Sequence, residues 1–177
     1  TVATGYFSDS DYDASYDAAT ASTINLSGST ATVSGDGVEV SGSVVTISAE
    51  GTYIVSGTSE NVQIVVNAAD SAKVQLVLDN ANMTGNNAAI SVQEADTVTI
   101  TLAEGSKNSI SDSASNSNDE EDAAIFSKSD LVFNGSGSLS VKGQYNNAIE
   151  SNDSLRITGG DYSIESVGDG LNAKDAL

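Results

Sequence analysis

The chain has 177 residues, with 25 acidic against 6 basic side chains and a net charge of −19. Without Cys or His it can build neither a disulfide framework nor a thiolate or imidazole metal site, and it lacks the usual general base. So acidic a surface argues against nucleic acid as a partner, and no run approaches the roughly 20 apolar residues of a membrane span. What it does supply is oxygen, from Asp, Asn, Ser, Thr and the backbone, which suits hard cations such as calcium. No signal peptide is visible, so an exported protein would be seen here already processed.

Residues 1–22 read as an acidic leader or arm. It holds Tyr6, Phe7, Tyr12 and Tyr16 but no sustained periodicity. Within it, Asp9, Asp11 and Asp13 alternate as carboxylates do around a calcium ion. Ala14 and Thr20 stand where an EF-hand needs glycine and an acid, so this is no EF-hand. Four of the nine aromatics of the chain fall in the leader, which suggests that it docks on something.

From Thr23 to Leu177, short runs with apolar residues at every second position alternate with Gly, Asn and Asp, the signature of strands and turns. Asp122–Gly143 and Asn147–Ser166 repeat one another, and a third copy opens at Asp169. Aligned on Val38, Ile64, Ile90, Ile125, Ile149 and Leu171, the repeats are spaced by 26, 26, 35, 24 and 22 residues. The long gap contains the polar tract 112–122, which reads as a surface loop inserted into a regular unit. A repeat of this size cannot bury its own core and must stack on its neighbours. The expected fold is therefore all-β, a right-handed parallel β-helix solenoid of about six coils of three short strands. At about 4.8 Å per coil it would form a rod roughly 29 Å long.

Stacking places equivalent residues in columns. Asp130, Asp153 and Asp175 follow the first strand of successive repeats, Asp122, Asn147 and Asp169 precede it, and Phe126, Glu150 and Asn172 point outward from it. Carboxylates one strand spacing apart repel, and protonation, a lysine or a cation relieves them. The candidate calcium ligands are thus Asp122, Asp130, Glu150, Asp153, Asp169 and Asp175, with Asp9, Asp11 and Asp13 in the leader. Lys128 and Lys174 lie near the same turns; with Tyr145 and Asn147 they are the candidate ligand-binding residues.

Three motifs carry a resemblance. They are Ile125-Phe-Ser-Lys-Ser-Asp-Leu, the Asp153-Ser-Leu-Arg-Ile-Thr-Gly-Gly run, and the closing Asp169-Gly-Leu-Asn-Ala-Lys-Asp. With Gly51-Thr-Tyr-Ile-Val-Ser-Gly, they are similar to the bacterial carbohydrate-binding parallel β-helix family related to pectate lyases. The resemblance runs from about Ile24 to the end and implies an exported protein, secreted or at the cell surface, that binds calcium and plant polysaccharide, cellulosic or acidic. The sequence departs from the family by stopping at Leu177, where the family pattern continues. Binding without cleavage is the leading expectation. A calcium-dependent lyase would need Lys128, Lys174 or Arg156 as base, and a column of carboxylates raises rather than lowers a lysine pKa. A third alternative is a structural subunit that self-associates end to end, with the leader of one copy on the open strands of the next.

Overall fold

The computed structural model of the chain describes residues 5–177; residues 1–4, the start of the leader, lie outside the described residues. One helical turn, α1 (Asp9–Tyr12), precedes the strands. These are β1 (Ser22–Gly28), β2 (Thr30–Ser34), β3 (Val38–Ser41), β4 (Val44–Ile47), β5 (Gly51–Glu60), β6 (Gln63–Asn67), β7 (Lys73–Thr84), β8 (Ile90–Glu94) and β9 (Thr97–Leu102). They continue as β10 (Lys107–Ser111), β11 (Ala123–Ser127), β12 (Asp130–Gly135), β13 (Ser138–Gly143), β14 (Asn147–Ser151), β15 (Leu155–Ile157), β16 (Asp161–Ser166) and β17 (Leu171–Ala173). Among the described residues no helix is long and apolar enough to cross a membrane.

The strands form two open, mixed sheets. The first has ten strands, in the order β15-β12-β9-β7-β10-β13-β16, with β5 on β7, β1 on β5 and β2 on β1. The second has seven, in the order β17-β14-β11-β8-β6-β4-β3. The all-β character is as expected, but the right-handed parallel β-helix of six three-stranded coils is not observed. The N-terminal strands pair antiparallel, β1 with β2 and β3 with β4. In place of the three separate strand stacks that six three-stranded coils would give, the second and third strands of the repeats share one sheet, joined through β7, whose first half pairs with β9 and whose second half pairs with β10.

The physical reasons are local. Gly28 and Gly42 adopt left-handed φ values of 60° and 62° in open space, which makes tight hairpins of the first four strands. Val38 consequently pairs with Ile47, and Val45 takes the place opposite Ile64. Asn80, at φ 57°, bends β7 without ending it, and β5 shifts register between Val55 and Gly57 to follow.

From β4 onward the second sheet is parallel, and its registers stack Val45, Ile64, Ile90, Ile125, Ile149 and Leu171 in one inward column. Opposite it lie Val98 and Ile100, Leu131 and Phe133, then Leu155 and Ile157, also in register. All but Leu171 and Ile157 are buried, and they belong to a single apolar core. Ser127 and Ser151 also point inward, fully buried, and both donate to the Ser129 carbonyl, at 2.7 and 3.0 Å. Their hydroxyls are satisfied inside the core.

The leader lies on its own chain. Buried Asp11 accepts from the Ser8 N–H at 2.8 Å and pairs with Arg156, whose Nε lies 3.2 Å from the same oxygen without hydrogen-bond alignment. The Asp11 carbonyl accepts from Thr158 at 2.6 Å and from Asn134 at 3.3 Å. A row of side chains, Thr52–Gln75–Thr101–Asn134, runs across the first sheet and ends on this strap.

Candidate functional site

The outward face of β11, β14 and β17 forms a polar groove. Because the three strands are parallel and in register, each contributes an equivalent rung: Phe126 and Lys128, Glu150 and Asn152, Asn172 and Lys174. Side chains at alternate positions share one face, so each rung places two residues on the outward side, of which Lys128 and Lys174 are exposed and Phe126 and Glu150 are buried in the floor. Asp122, Asn146, Asn147 and Asp169 line one flank, and Asp119 and Glu120 reach in from the loop 112–122. The groove encloses about 560 Å³ and sets five carboxylates against two lysines.

Its floor is held by its own hydrogen bonds. Asn147 Nδ2 donates to Glu150 at 2.6 Å, Asn172 donates to the same oxygen at 3.4 Å, and the Asp169 N–H donates to Asn147 Oδ1 at 2.8 Å. Asn146 donates to Asp122. Phe126 is buried against Ala88 and Ala123, so it supports the floor and offers no open ring to a sugar.

The inserted loop forms the wall at the β8 end. Fully buried Asp112 anchors it, accepting from the Gln144 N–H at 2.6 Å while its carbonyl accepts from the Gln144 amide at 2.7 Å. Burial pushes the Asp112 carboxyl up. Tyr145 does not line the groove: its hydroxyl donates to Asp119 at 2.5 Å and ties the loop down. That bond, with the charges of Asp119 and Asp122, raises the Tyr145 pKa.

Of the residues expected from sequence, the groove therefore gathers Asp122, Lys128, Asn147, Glu150, Asp169 and Lys174. Asp130, Asp153 and Asp175 lie together at the turns after the first strand of each repeat. Asp153 is held above the usual carboxylate range by partial burial and then by Asp130 and Asp175. Arg156 donates to Asp130 at 3.1 Å. In the leader the carboxylates part company, Asp9 exposed, Asp11 on Arg156 and Asp13 on Ser15. Among the described residues no group of three or more acidic side chains is arranged as a metal centre. Sequence reasoning missed Asp119, Glu120, Asn146 and Asn152, and it placed Asn172 in the outward column without assigning it to the site. The repeat itself could have found Asn152, since it occupies the position of Lys128 one unit on.

Residues 41–177, which include the whole groove, match the family model described as carbohydrate-binding domain-containing protein. The chain belongs to that family. A carbohydrate-binding domain-containing protein of Acetivibrio thermocellus is 33% identical over 121 residues, covering 65% of this chain and 42% of the relative. A solved structure described as the polysaccharide lyase-like protein from C. thermocellum, in a gadolinium derivative, superposes with a TM-score of 0.77 at 32% identity, over 80% of this chain and 60% of that one. The chain thus spans less than half of the curated relative. The leader and the first hairpin fall outside the carbohydrate-binding family match, and the rungs and the inserted loop fall inside it.

Proposed function

We propose that this carbohydrate-binding domain is an exported module that holds a polysaccharide, cellulosic or acidic, along the groove of β11, β14 and β17 without cleaving it. The observation that carries the reading is the regular succession of rungs. Neighbouring strands lie about 4.8 Å apart, a step comparable to one sugar unit of an extended glycan, so successive units would meet equivalent groups. Asp122, Glu150 and Asp169 would accept from sugar hydroxyls, while Asn152, Lys128 and Lys174 would donate to ring, hydroxyl or carboxylate oxygens. The two lysines stand two rungs apart, which suits carboxylates on alternate units of an acidic chain.

Calcium belongs to the same reading. Its donors would be Asp130, Asp153 and Asp175, whose oxygen chemistry suits a hard cation although the three are not preassembled as a centre; an ion drawing them together would cancel the like charge that, after burial, raises Asp153. Cleavage is not part of the proposal. Arg156 is committed to Asp11 and Asp130, and Lys128 and Lys174 sit among carboxylates. Nor is assembly through the leader, since Asp11 ties that segment to its own chain.

The test is retention on insoluble cellulose and on polygalacturonate gel, with and without millimolar calcium. Wild type should be retained on at least one of the two. Lys128→Ala with Lys174→Ala should weaken retention roughly tenfold or more, as loss of two charged donors implies. Unsaturated product absorbing in the ultraviolet should not accumulate. Its accumulation, lost in the double variant, would replace binding with lyase activity.

A further inference from the structure

The outward face that carries the groove does not end at β11. The next rung of the same sheet is Ser91 and Gln93 on β8, with Ser91 in register with Phe126 and with Val65 beyond it on β6. By the geometry of the sheet, this is where a fourth unit of an extended glycan would sit. It is filled by the chain itself. Ser91 Oγ donates to Glu121 Oε2 at 2.8 Å, and Gln93 Nε2 donates to Glu121 Oε1 at 2.7 Å. Gln93 also donates to Ser91 at 2.7 Å, so the two rung residues and the carboxylate form one closed set.

The residue that fills the rung comes from the inserted loop, and the loop is built to keep it there. Asn116, itself buried, donates to the Glu121 carbonyl at 3.3 Å and to Asp112 at 3.4 Å. The Glu121 N–H donates to the Asn118 carbonyl at 3.1 Å. The Asp112 anchor and the Tyr145–Asp119 bond hold both ends of the same segment.

We propose that Glu121 is an end stop: it occupies the fourth rung in cis, so the groove accepts glycan only as far as Phe126 and Lys128, and the loop sets the length of chain recognised. The inference rests on the groove being the glycan site. Ser91 and Gln93 form a latent subsite, a hydroxyl and an amide donor already paired with a carboxylate, and one suited to the acid group or vicinal hydroxyls of a further sugar.

The experiment is calorimetric titration with two length series, cello-oligosaccharides and oligogalacturonates of two to eight units. The wild-type chain should gain affinity with length and then reach a plateau. Glu121→Ala should move the plateau to longer oligomers, with a gain of roughly three- to tenfold for those, as one or two net hydrogen bonds contribute. Adding Ser91→Ala and Gln93→Ala to that variant should abolish the gain, which a general loosening of the loop would not do. A second variant, with residues 113–121 replaced by two glycines, should reproduce the longer plateau if the side chain alone is insufficient to open the rung. An unchanged length profile in both Glu121→Ala and the shortened loop, with wild type binding normally, overturns the end stop alone. Failure of wild type to bind either series overturns the groove reading and the end stop together.

Discussion

Arg156 is the only guanidinium in the chain, and two carboxylates share it. Asp11 is buried and Asp130 partly so, which makes this pair more than a screened surface contact. Arg156→Ala would leave Asp11 uncompensated beside its capped turn. The expected cost is about 2–3 kcal/mol in urea unfolding, below the range for a fully buried pair because the guanidinium is partly exposed. Early proteolytic cutting within residues 5–21 should accompany it. A stability loss without release of the leader would mean that Asn134 and Thr158 hold the strap alone. Asp153 makes a different prediction. Partial burial first, and then Asp130 and Asp175, raise its carboxyl above the ordinary 3.8. A carboxyl whose folded pKa exceeds its unfolded value contributes fully below the unfolded pKa, and the contribution is lost as pH rises through the folded one. At neutral pH in chelator, Asp153→Asn should therefore raise the melting temperature by a few degrees at most, and the gain should disappear below about pH 4. Millimolar calcium should stabilise wild type, by roughly 2.7 kcal/mol per site at a hundredfold excess over Kd, and the variant less. Equal wild-type melting temperatures in chelator and in calcium would remove calcium from the account.

Strand-to-strand contact in this fold tolerates little added bulk at certain corners. Gly135, at φ 91°, closes β12 directly over the end of β9, and a Cβ there would run into the Leu102 carbonyl. Gly42 has a similar backbone demand but open space around it. Gly135→Ala should thus cost about 2–4 kcal/mol, combining the left-handed strain with a clash against backbone. Gly42→Ala should cost about 1 kcal/mol from strain alone. Equal losses in the two variants would show that the close approach at Gly135 is relieved by movement of β9. The same glycines explain what the sequence could and could not convey. Corner and hairpin are both written with Gly and Asn, so Gly28 and Gly42 gave no sign that β1–β2 and β3–β4 would turn back on themselves. Asn80 likewise reads as a stop between strands, whereas its left-handed φ carries β7 through the bend and merges two walls into one sheet. The column from Ile64 to Leu171 was readable because each residue recurs at a near-constant spacing, with one insertion, and buries the same face.

Across the whole molecule, long-range polar contacts divide the surface into two unlike faces. The first sheet carries the leader across its β12 and β15 strands, through Asp11, Asn134, Arg156 and Thr158, pairings that span more than 120 residues and leave no periodic trace in the sequence. The second sheet keeps its C-terminal rungs open and covers β8 with the inserted loop. The groove residues Lys128 and Lys174 could be anticipated because repetition puts them at one position two units apart, and Glu150 because it falls in the outward column of Phe126 and Asn172. The closure of the groove by Glu121 could not, since nothing in a Ser- and Asn-rich tract announces where it will fold back. The most direct test of the account is to follow backbone amide shifts in a ¹⁵N-labelled chain during titration with a soluble cello-oligosaccharide or oligogalacturonate. The largest changes should cluster at residues 126–128, 150–152 and 172–174, with little change at Gln75, Thr99 or Thr101 on the opposite sheet. Changes concentrated on that opposite sheet or on the leader, with the three rungs unmoved, would contradict it.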